Sequence, residues 1–300
     1  MDISIIIVNY NVKEFITPCI HSIYKHLKGN YSFEISIIDN NSKDGSEKLI
    51  KEKFPKVNFI KNENNIGFSK AVNQGARISK GRYFFILNPD TLLIEDSVKI
   101  FLEKINGIEK FGAIAPSLIS IDGSIQQSTW RFPSLTNTCL SIFHLDFLNF
   151  YKNYNDNNFS RVLKVDSVSG AAIFISKKVF HKLKGFNERL FWMDDIDLCL
   201  RLKSLGYYVY YAPETKIIHF LGKSSEKNYK ISASNQLISK IKYFEMHHSK
   251  SSYNIIKLCV LVISLIKIFI SLLLFSFSKK FRQKLFGYLI ALKFVMKNEK

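Results

Sequence analysis

The chain has 300 residues, 47% of them hydrophobic, and its 43 Lys and Arg against 25 Asp and Glu give a net charge of +18. This length and apolar content suffice to bury a full core, which excludes an intrinsically disordered protein. The basic excess fits a polyanionic partner: nucleic acid, an anionic lipid surface or a phosphorylated substrate. Charge by itself does not choose among the three.

The first part of the chain alternates predicted strands and helices. Ile3–Val8 is an apolar, β-branched run, and Lys13–Leu27 follows with apolar residues at helical spacing. The alternation recurs in FEISIIDN and SKDGSEKLIKEKF, in KVNFIKN and GFSKAVNQGARIS, and in GRYFFILNPD and EDSVKIFLEKI. It predicts βαβ units and an α/β fold with a Rossmann-like, mostly parallel sheet covered by helices on both faces.

Polar side chains gather where these predicted strands end. The successive strand ends carry Asn9 and Asn11, then Asp39, Asn40 and Asn41, then Asn62, Asn64 and Asn65, and finally Asn88 and Asp90. Ligands of open α/β sheets bind outside the carboxyl ends of the strands, so we expect a shared polar ligand there. The alternative is a set of separate turns, in which Asp90 only bonds the backbone after Asn88-Pro89.

The irregular segment DGSIQQSTWRFPSLTNTCLSIFHLDFLNFYKNYNDNN predicts a long loop or short helices, either a binding loop or a poorly packed insertion. Regular patterns return with VSGAAIFISKKVFHKLKGF and with DDIDLCLRLKSLG, a helix ended by Gly206. That helix begins with Asp194, Asp195 and Asp197, more acids than capping its positive end requires. His219 ends the apolar strand TKIIHF, where a lone histidine is either structural or a ligand.

Residues 255–277 are strongly apolar, and Leu258–Ser278 is close to the roughly 20 apolar residues that cross a bilayer, but Lys267 interrupts it. At about 100° per residue, the polar positions form one stripe: Lys257, Ser264, Lys267, Ser271 and Ser278. This predicts an amphipathic helix in the membrane interface, followed by basic residues suited to anionic headgroups: Lys279, Lys280, Arg282 and Lys284. The alternative is an ordinary helical pair packed on the α/β domain.

The compartment is predicted from the cysteines and the N-terminus. Cys19, Cys139, Cys199 and Cys259 are far apart in sequence, which predicts neither a disulfide framework nor a zinc site and favours a reducing compartment. The stretch MDISIIIVNYN has neither the basic leader nor the long apolar run of a signal peptide. We therefore expect the body of the protein to remain in the cytosol.

The motifs together resemble the inverting glycosyltransferases of family 2, which have the GT-A fold, and specifically their rhamnosyltransferase-like branch. The resemblance spans Ile3 to about Ser225 and rests on the order of SIIIVNYN, IIDNNSKDGS, NIGFSKAVNQG, FILNPDTLL, GSIQQSTWRFP, VSGAAIFISKKVFHKLKGFNERLFWMDDIDLCLRLKSLGY and HFLGKS. It implies a GT-A domain over residues 1–250, and we expect a membrane-associating helical segment over 251–300.

The resemblance implies a function as well as a fold. A sugar, with a rhamnose-like deoxysugar favoured, would pass from a nucleotide-diphosphate donor to a glycan or lipid-linked acceptor in cell-surface polysaccharide biosynthesis. The donor nucleotide would be dTDP or UDP, and the cofactor a divalent metal, Mg²⁺ or Mn²⁺. The enzyme would be cytoplasmic and peripheral at the inner face of the cell membrane.

The resemblance also implies roles for particular residues. Asp39 and the loop from Asn9 to Asn11 would hold the base and ribose of the donor, whose site also includes Asn65, Gly67 and Asn88. Asp90 would be the metal-binding end of the DxD motif, with His219 as second metal ligand. Asp195 would be the catalytic base, with Asp194 beside it. The chain departs from the family at Asn88, where many relatives carry the first Asp of DxD.

Three other classes of protein remain as alternatives. One is a catalytically inactive nucleotide-sugar-binding or membrane scaffold protein of the same fold. A nucleotidyltransferase is disfavoured because the N-terminal VNYNVKEF contains no glycine for a phosphate loop. A nucleic-acid binder is disfavoured because the basic residues are spread out and form no recognition motif.

Overall fold

The computed structural model describes residues 1–27, 29–148, 154–220, 229–275 and 279–297. These residues divide into two units. The first unit comprises the described parts of Met1–Phe132, Asn153–Glu188 and Asp194–Ser224. The second comprises the described parts of Pro133–Lys152, Arg189–Met193 and Ser225–Lys300. The predicted boundary between residues 250 and 251 falls inside the second unit.

The first unit opens with the predicted alternation of strands and helices. Its elements are β1 (Ile3–Asn9), α1 (Lys13–Leu27), β2 (Phe33–Asp39), α2 (Ser46–Lys53), β3 (Asn58–Lys61), α3 (Phe68–Ile78) and β4 (Tyr83–Leu87). The four strands are parallel and lie in the order β3, β2, β1, β4. Their carboxyl ends therefore meet at one edge of the sheet, as the sequence predicts.

The rest of the first unit extends this sheet with strands of both directions and adds a separate, two-stranded antiparallel sheet. Its elements are β5 (Thr91–Leu93), α4 (Ser97–Ile105), β6 (Phe111–Ile119), β7 (Thr129–Trp130), β8 (Leu163–Val165), β9 (Ser167–Val168), β10 (Ala172–Ser176), α6 (Lys177–Lys182), α7 (Asp194–Ser204) and β11 (Tyr208–His219). Strand β10 lies antiparallel between β4 and β6. Strand β11 runs parallel to β6 and antiparallel to β5 and β8, so the whole sheet is mixed.

Both faces of the sheet are buried. Successive side chains of β1 belong to two different core clusters, Ile5 and Ile7 to one and Ile6 to the other. The first cluster includes side chains of α1, α2 and α4, and the second includes side chains of α3, α6 and α7. A strand that is covered on both faces favours apolar residues on both, which explains why β1 is apolar from Ile3 to Val8 except at Ser4.

The second unit contains four helices among its described residues: α5 (Leu135–Ile142), α8 (Tyr229–His247), α9 (Lys250–Leu273) and α10 (Lys279–Lys297). A short 3₁₀ turn, Asp146–Leu148, follows α5. Helix α10 packs against both α8 and α9. Gly287 permits the close approach to α8, since a Cβ there would lie 2.7 Å from the main-chain oxygen of Lys230.

Helix α9 exposes apolar residues and buries polar ones. Ser264 and Ser271, two members of the predicted polar stripe, are buried, whereas Ser278 lies outside the described residues. The opposite side, which we call the apolar face of α9, consists of exposed residues: Leu258, Val262, Leu265, Phe269 and Leu272. Among the described helices, α9 alone is long and apolar enough to cross a bilayer by length and composition.

The four cysteines are free thiols. Cys139 on α5 and Cys259 on α9, which are far apart in sequence, have their Sγ atoms 3.6 Å apart in the second unit. Cys19 and Cys199 are buried in the two core clusters of the first unit.

Candidate active site

Asp90 and His219 are brought together by strand pairing. Asp90 follows the Asn88-Pro89 turn at the end of β4, and the chain then continues as β5. Because β5 pairs with the last residues of β11, Thr91 lies opposite His219, and the main-chain N–H of Phe220 donates to the Asp90 carbonyl at 2.9 Å. Asp90 Oδ1 and His219 Nε2 are 3.6 Å apart. The remainder of the HFLGKS motif, residues 221–224, lies outside the described part of the chain.

Gln126 fixes the orientation of the His219 ring. Its Nε2 donates to the main-chain oxygen of His219 at 2.7 Å and to Ser120 Oγ at 3.1 Å. Its Oε1 therefore faces Nδ1 of the same histidine, at 3.0 Å, and must accept a hydrogen bond from it. The neutral imidazole then carries its hydrogen on Nδ1 and turns the lone pair of Nε2 toward Asp90.

Burial sets the protonation of this pair. Desolvation lowers the pKa of His219 and raises the pKa of Asp90, while the attraction between the two groups opposes both shifts. His219 is therefore neutral at neutral pH and free to act as a ligand. Burial penalises an Asp90 carboxylate that has no cation beside it, and a bound cation would offset that penalty.

The pair fits a divalent cation. Two ligands on neighbouring corners of an octahedral Mg²⁺ or Mn²⁺ shell, with bonds of about 2.1 Å, are about 3 Å apart, close to the 3.6 Å separation of Asp90 and His219. A histidine that donates its other N–H to a side-chain oxygen is typical of metal-binding histidines. No cluster of three or more His, Cys, Asp or Glu suited to a metal occurs in the described residues. The pair would thus leave most of the metal shell open.

The second acidic group begins helix α7. Asp194 and Asp195 are its first two residues, and they follow Met193, whose φ of 65° lies in the left-handed region. A methionine rarely adopts that conformation, and such strained residues cluster at functional sites. Asp194 and Asp197 are buried, whereas Asp195 is partly exposed. This agrees with the helical geometry, in which residues three apart share a face and Asp195 points elsewhere.

Each of these acids has its own hydrogen bonds. Asp194 Oδ2 accepts from Ser69 Oγ at 2.8 Å. Asp195 Oδ2 accepts from the main-chain N–H of Gly170 at 3.0 Å, and its Oδ1 from that of Ile196 at 2.8 Å. Asp197 Oδ2 accepts from Arg201 Nε at 2.7 Å and so forms an ion pair within the helix.

The adjacent carboxyls of Asp194 and Asp195 interact strongly. Burial, and then the charge of Asp195, raise the pKa of Asp194 to about 7, and burial also raises the pKa of Asp195. Two carboxyls this close titrate as a coupled pair. The two main-chain N–H groups that bond Asp195 favour its charged form. A partly exposed carboxylate with a raised proton affinity is suited to act as a general base.

Asn9 and Asp39 lie side by side at the ends of β1 and β2. Asn9 Nδ2 donates to Asp39 Oδ1 at 2.7 Å, and the main-chain N–H of Ser42 donates to Asp39 Oδ2 at 2.9 Å. Both Asn9 and Asp39 are fully buried. Asn11, with a φ of 54°, lies closer to the surface, and its Oδ1 accepts from the main-chain N–H of Lys43 at 2.7 Å. Asp39 thus fixes the loop after β2 through its hydrogen bond to Ser42, and it is itself shielded from solvent.

The other predicted donor-site residues lie at the same edge of the sheet. Asn65 is exposed, and its Oδ1 accepts from the main-chain N–H of Gly67 at 3.0 Å, just before α3. Gly67 has a φ of 86°, which favours glycine. Asn88 bonds through its backbone: its N–H donates to the Ala171 carbonyl at 2.8 Å, and its carbonyl accepts from Thr91 Oγ1 at 2.7 Å.

The structure thus brings the predicted residues together in three groups: Asp90 with His219, Asp194 with Asp195, and Asn9 with Asp39. The sequence did not assign roles to Gln126, Ser69 or Ser42, which orient members of these groups. Gln126 belongs to the GSIQQSTWRFP motif, which was the only sequence signal for it. The hydrogen bonds that reveal its role join residues far apart in the chain.

Solved structures share this mixed α/β fold, which is the GT-A fold. The mannosyltransferase PcManGT from Pyrobaculum calidifontis, in complex with GDP-Man and Mn²⁺, is 14% identical, with a TM-score of 0.57 over 99% of this chain and 88% of that one. GalNAc-T7 with UDP, GalNAc and Mn²⁺ is 15% identical, with a TM-score of 0.57 over 81% of this chain and 50% of that one.

The chain belongs to glycosyl transferase family 2, because the sequence model of that family matches residues 4–183. Among its relatives is an N-acetylglucosaminyl-diphospho-decaprenol L-rhamnosyltransferase of Mycobacterium tuberculosis, which is 24% identical over 213 residues. This match covers 65% of the chain and 68% of the relative. The protein is therefore a glycosyltransferase by family, and it shares its fold with the solved structures.

Proposed function

We propose that this protein is a metal-dependent, inverting glycosyltransferase that moves a rhamnose-like sugar from a nucleotide-diphosphate donor to a lipid-linked acceptor. The observation that carries the proposal is the Gln126–His219–Asp90 arrangement. It presents an imidazole lone pair and a buried carboxylate oxygen 3.6 Å apart, with the ring held from its far side. A purely structural His–Asp pair would instead share a hydrogen bond of ordinary length.

Asp90 Oδ1 and His219 Nε2 would hold the divalent cation, Mg²⁺ or Mn²⁺. The cation would supply charge neutralisation to the diphosphate that leaves with the nucleotide. Asp90 follows the end of β4, and His219 is the last residue of β11. Because both are core strands, they would hold the two ligands rigidly. Asn88 would shape the same turn through its backbone bonds.

The proposed catalytic base is Asp195, and Asp194 would modulate its proton affinity. The acceptor hydroxyl would transfer its proton to the partly exposed carboxylate of Asp195 while the hydroxyl oxygen attacks the anomeric carbon. A single displacement of this kind inverts the anomeric centre and needs no covalent enzyme intermediate. Gly170 and Ile196 would fix the direction of the base through their main-chain N–H groups.

The donor nucleoside would bind at the edge formed by β1, β2 and the start of α3. Asn11, Asn65 and Gly67 lie at or near the surface there, whereas Asn9 and Asp39 are buried and hydrogen-bonded to each other. Direct contact between Asp39 and the nucleoside would require the loop after β2 to move, because Asp39 is fully buried. dTDP and UDP are the proposed nucleotides.

The proposed acceptor is lipid-linked, and the setting is cell-surface polysaccharide biosynthesis at the inner face of the membrane. The relative from Mycobacterium tuberculosis, by its name, acts on a diphospho-decaprenol acceptor. The apolar face of α9 is exposed in the second unit, as expected of a helix that lies in the membrane interface. The buried Ser264 and Ser271 are on the other side of that helix.

Metal dependence and turnover are tested together. Full-length protein in detergent is incubated with dTDP-rhamnose or UDP-sugars, and release of the nucleoside diphosphate is followed with and without EDTA. We expect turnover that EDTA abolishes and Mn²⁺ or Mg²⁺ restores. Full turnover in excess EDTA would overturn the metal role. Donor binding without any transfer or hydrolysis would favour the inactive scaffold.

A further inference from the structure

Asp156 is a buried acid that the mechanism above does not use. Its side chain is 1% exposed, and it begins the 3₁₀ turn Asp156–Asn158. Phe159, which follows this turn, packs against the second core cluster, and its ring lies against that of Tyr211. Because a buried carboxylate without partners is costly, the donors that satisfy Asp156 indicate what it holds in place.

The donors to Asp156 come from three consecutive residues, Gln127–Thr129. The main-chain N–H and the Oγ of Ser128 donate to Asp156 Oδ2 at 2.7 and 2.8 Å. Thr129 Oγ1 donates to Oδ1, and Gln127 Nε2 donates to the same oxygen at 3.0 Å. Hydrogen bonds to a charged acceptor are roughly twice as strong as those between neutral groups. Asp156 therefore fixes this segment, with Ser128 at its centre.

Ser128 is connected to the proposed base by main-chain hydrogen bonds. Its carbonyl accepts from the N–H of Ser169 at 2.8 Å, next to the pairing of β7 with β9. Ser169 is followed by Gly170, whose N–H donates to Asp195 Oδ2 at 3.0 Å. Asp156 thus fixes, through Ser128 and Ser169, the end of β9 that presents a donor to Asp195.

The proposed metal ligands do not depend on this connection. Gln126 precedes the segment, but its main-chain N–H donates to the carbonyl of Leu118 at 2.8 Å. Its side chain bonds Ser120 and His219. These bonds fix Gln126 to the ends of β6 and β11 without Asp156. A change at Asp156 should therefore reach the base and spare the metal site.

We propose that Asp156 is a positioning residue for the catalytic base, because it fixes the strand end whose main-chain N–H directs the Asp195 carboxylate. The proposal rests on the proposed function, in which Asp195 takes the proton of the acceptor hydroxyl. A hydrogen bond donated to a carboxylate also favours its charged form. When the N–H of Gly170 is displaced, Asp195 loses its direction and binds its proton more tightly.

The test follows the amide signal of Gly170 by NMR in the full-length protein in neutral detergent, without donor or metal. The chain has 13 glycines, so labelling with ¹⁵N-glycine leaves few signals, and Gly170→Ala assigns the one that matters. Its chemical shift should change as Asp195 takes up a proton, and a pH titration gives the midpoint. Asp194 and Cys199, whose pKa values are raised by burial and by the charge of Asp195, are present in both proteins compared. We expect Asp156→Asn to raise the midpoint by about 0.5 pH unit or more, because a weaker donor favours the charged form less.

The sign of the shift and a matched control separate positioning from a loss of charge. Removal of a negative charge by itself would lower the midpoint, because a like charge disfavours ionisation of a carboxyl. Asp166→Asn makes the same substitution just before β9. Asp166 Oδ2 accepts from the main-chain N–H of Phe132 at 3.4 Å, and its Oδ1 pairs with Lys203 at 3.4 Å. This control should leave the midpoint within about 0.2 pH unit, as expected of an exposed ion pair. An unmoved or lowered midpoint in Asp156→Asn, or an equal rise in Asp166→Asn, would overturn the proposal.

Milder variants carry the test should Asp156→Asn unfold. Ser128→Ala and Thr129→Val each remove one side-chain donor and keep the charge of Asp156. The midpoint should then rise by less, with the same sign, because the remaining donors still hold the segment. The absence of a rise in both variants would overturn the proposal in that case.

Turnover gives a second readout that a merely structural role would not move. Asp156→Asn should lower kcat by about tenfold or more, since a misplacement of about 1 Å can cost about 100-fold. The acid limb of its pH profile should move upward, with the donor KM and the Mn²⁺ requirement near wild type. A raised Mn²⁺ requirement with an unmoved pH profile would overturn the proposal. Absence of turnover in the wild type would refute the proposed function alone, because the Gly170 titration still decides whether Asp156 positions Asp195.

Discussion

Replacing Gln126 by Leu should weaken the metal site without removing a metal ligand. The change deletes the acceptor that fixes the Nδ1–H tautomer of His219 and the donor that holds its main-chain oxygen, bonds of 3.0 and 2.7 Å. His219 could then rotate or carry its proton on Nε2, the atom that faces Asp90. Partners that orient metal-binding histidines are worth about 10–100-fold in metal affinity, so we expect a loss of that size.

The same variant should lose a modest amount of stability. A buried polar group without a partner costs about 1–3 kcal/mol, and the main-chain oxygen of His219 loses its bond to Gln126. The control is Gln127→Leu, the same chemical change one residue along the chain. Gln127 bonds the carbonyl of Thr129 and Asp156 Oδ1, and neither of these groups belongs to the proposed metal site.

The assay is a Mn²⁺ titration of donor turnover, combined with thermal unfolding of each variant in EDTA. Gln126→Leu should need about 10–100 times more Mn²⁺ for half-maximal activity, whereas Gln127→Leu should show the wild-type Mn²⁺ requirement. The reasoning is refuted if Gln126→Leu has the Mn²⁺ requirement of the wild type. It is equally refuted if Gln127→Leu shifts that requirement as much.

Three further predictions concern the acids of α7 and the apolar face of α9. Asp195→Asn cannot take a proton at neutral pH, so kcat should fall by about 10²–10⁴-fold with donor affinity near wild type; an unchanged kcat would remove the base assignment. The pKa of Asp194 is raised in the folded protein from 3.8 to about 7, so the folded state binds the extra proton and this group's contribution to stability is lost as pH rises toward 7. Asp194→Asn should therefore reduce the fall in unfolding free energy between pH 5 and 7, by at most about 1.4 kcal/mol per pH unit, and an unaltered pH slope would contradict the shift. Leu265→Gln with Phe269→Gln should reduce co-sedimentation with anionic vesicles by about tenfold or more, because each exposed side chain would lose about 1.5–3 kcal/mol of burial; undiminished binding would show that this face does not meet the membrane.

The sequence by itself determined the local elements of the first unit. The apolar runs and helical spacings from Ile3 to Ile78 predict strands and helices that the structure confirms, because each pattern reflects burial of its own segment. The grouping of Asn9 with Asp39 follows from the same patterns, since parallel neighbours place their carboxyl ends together. The acids at the start of α7 are also visible locally, because they lie next to one another in the chain.

The tertiary structure decided which distant segments meet. The apolar pattern of TKIIHF predicts a strand but does not indicate that this strand, β11, pairs antiparallel with β5. It is this pairing that places His219 beside Asp90. Strand partners are chosen by the packing of the whole sheet, whereas a sequence window records only the burial of its own residues. The same limit applies to α9: the spacing showed a polar stripe, and only the packed helices of the second unit determined that Ser264 is buried and Phe269 exposed.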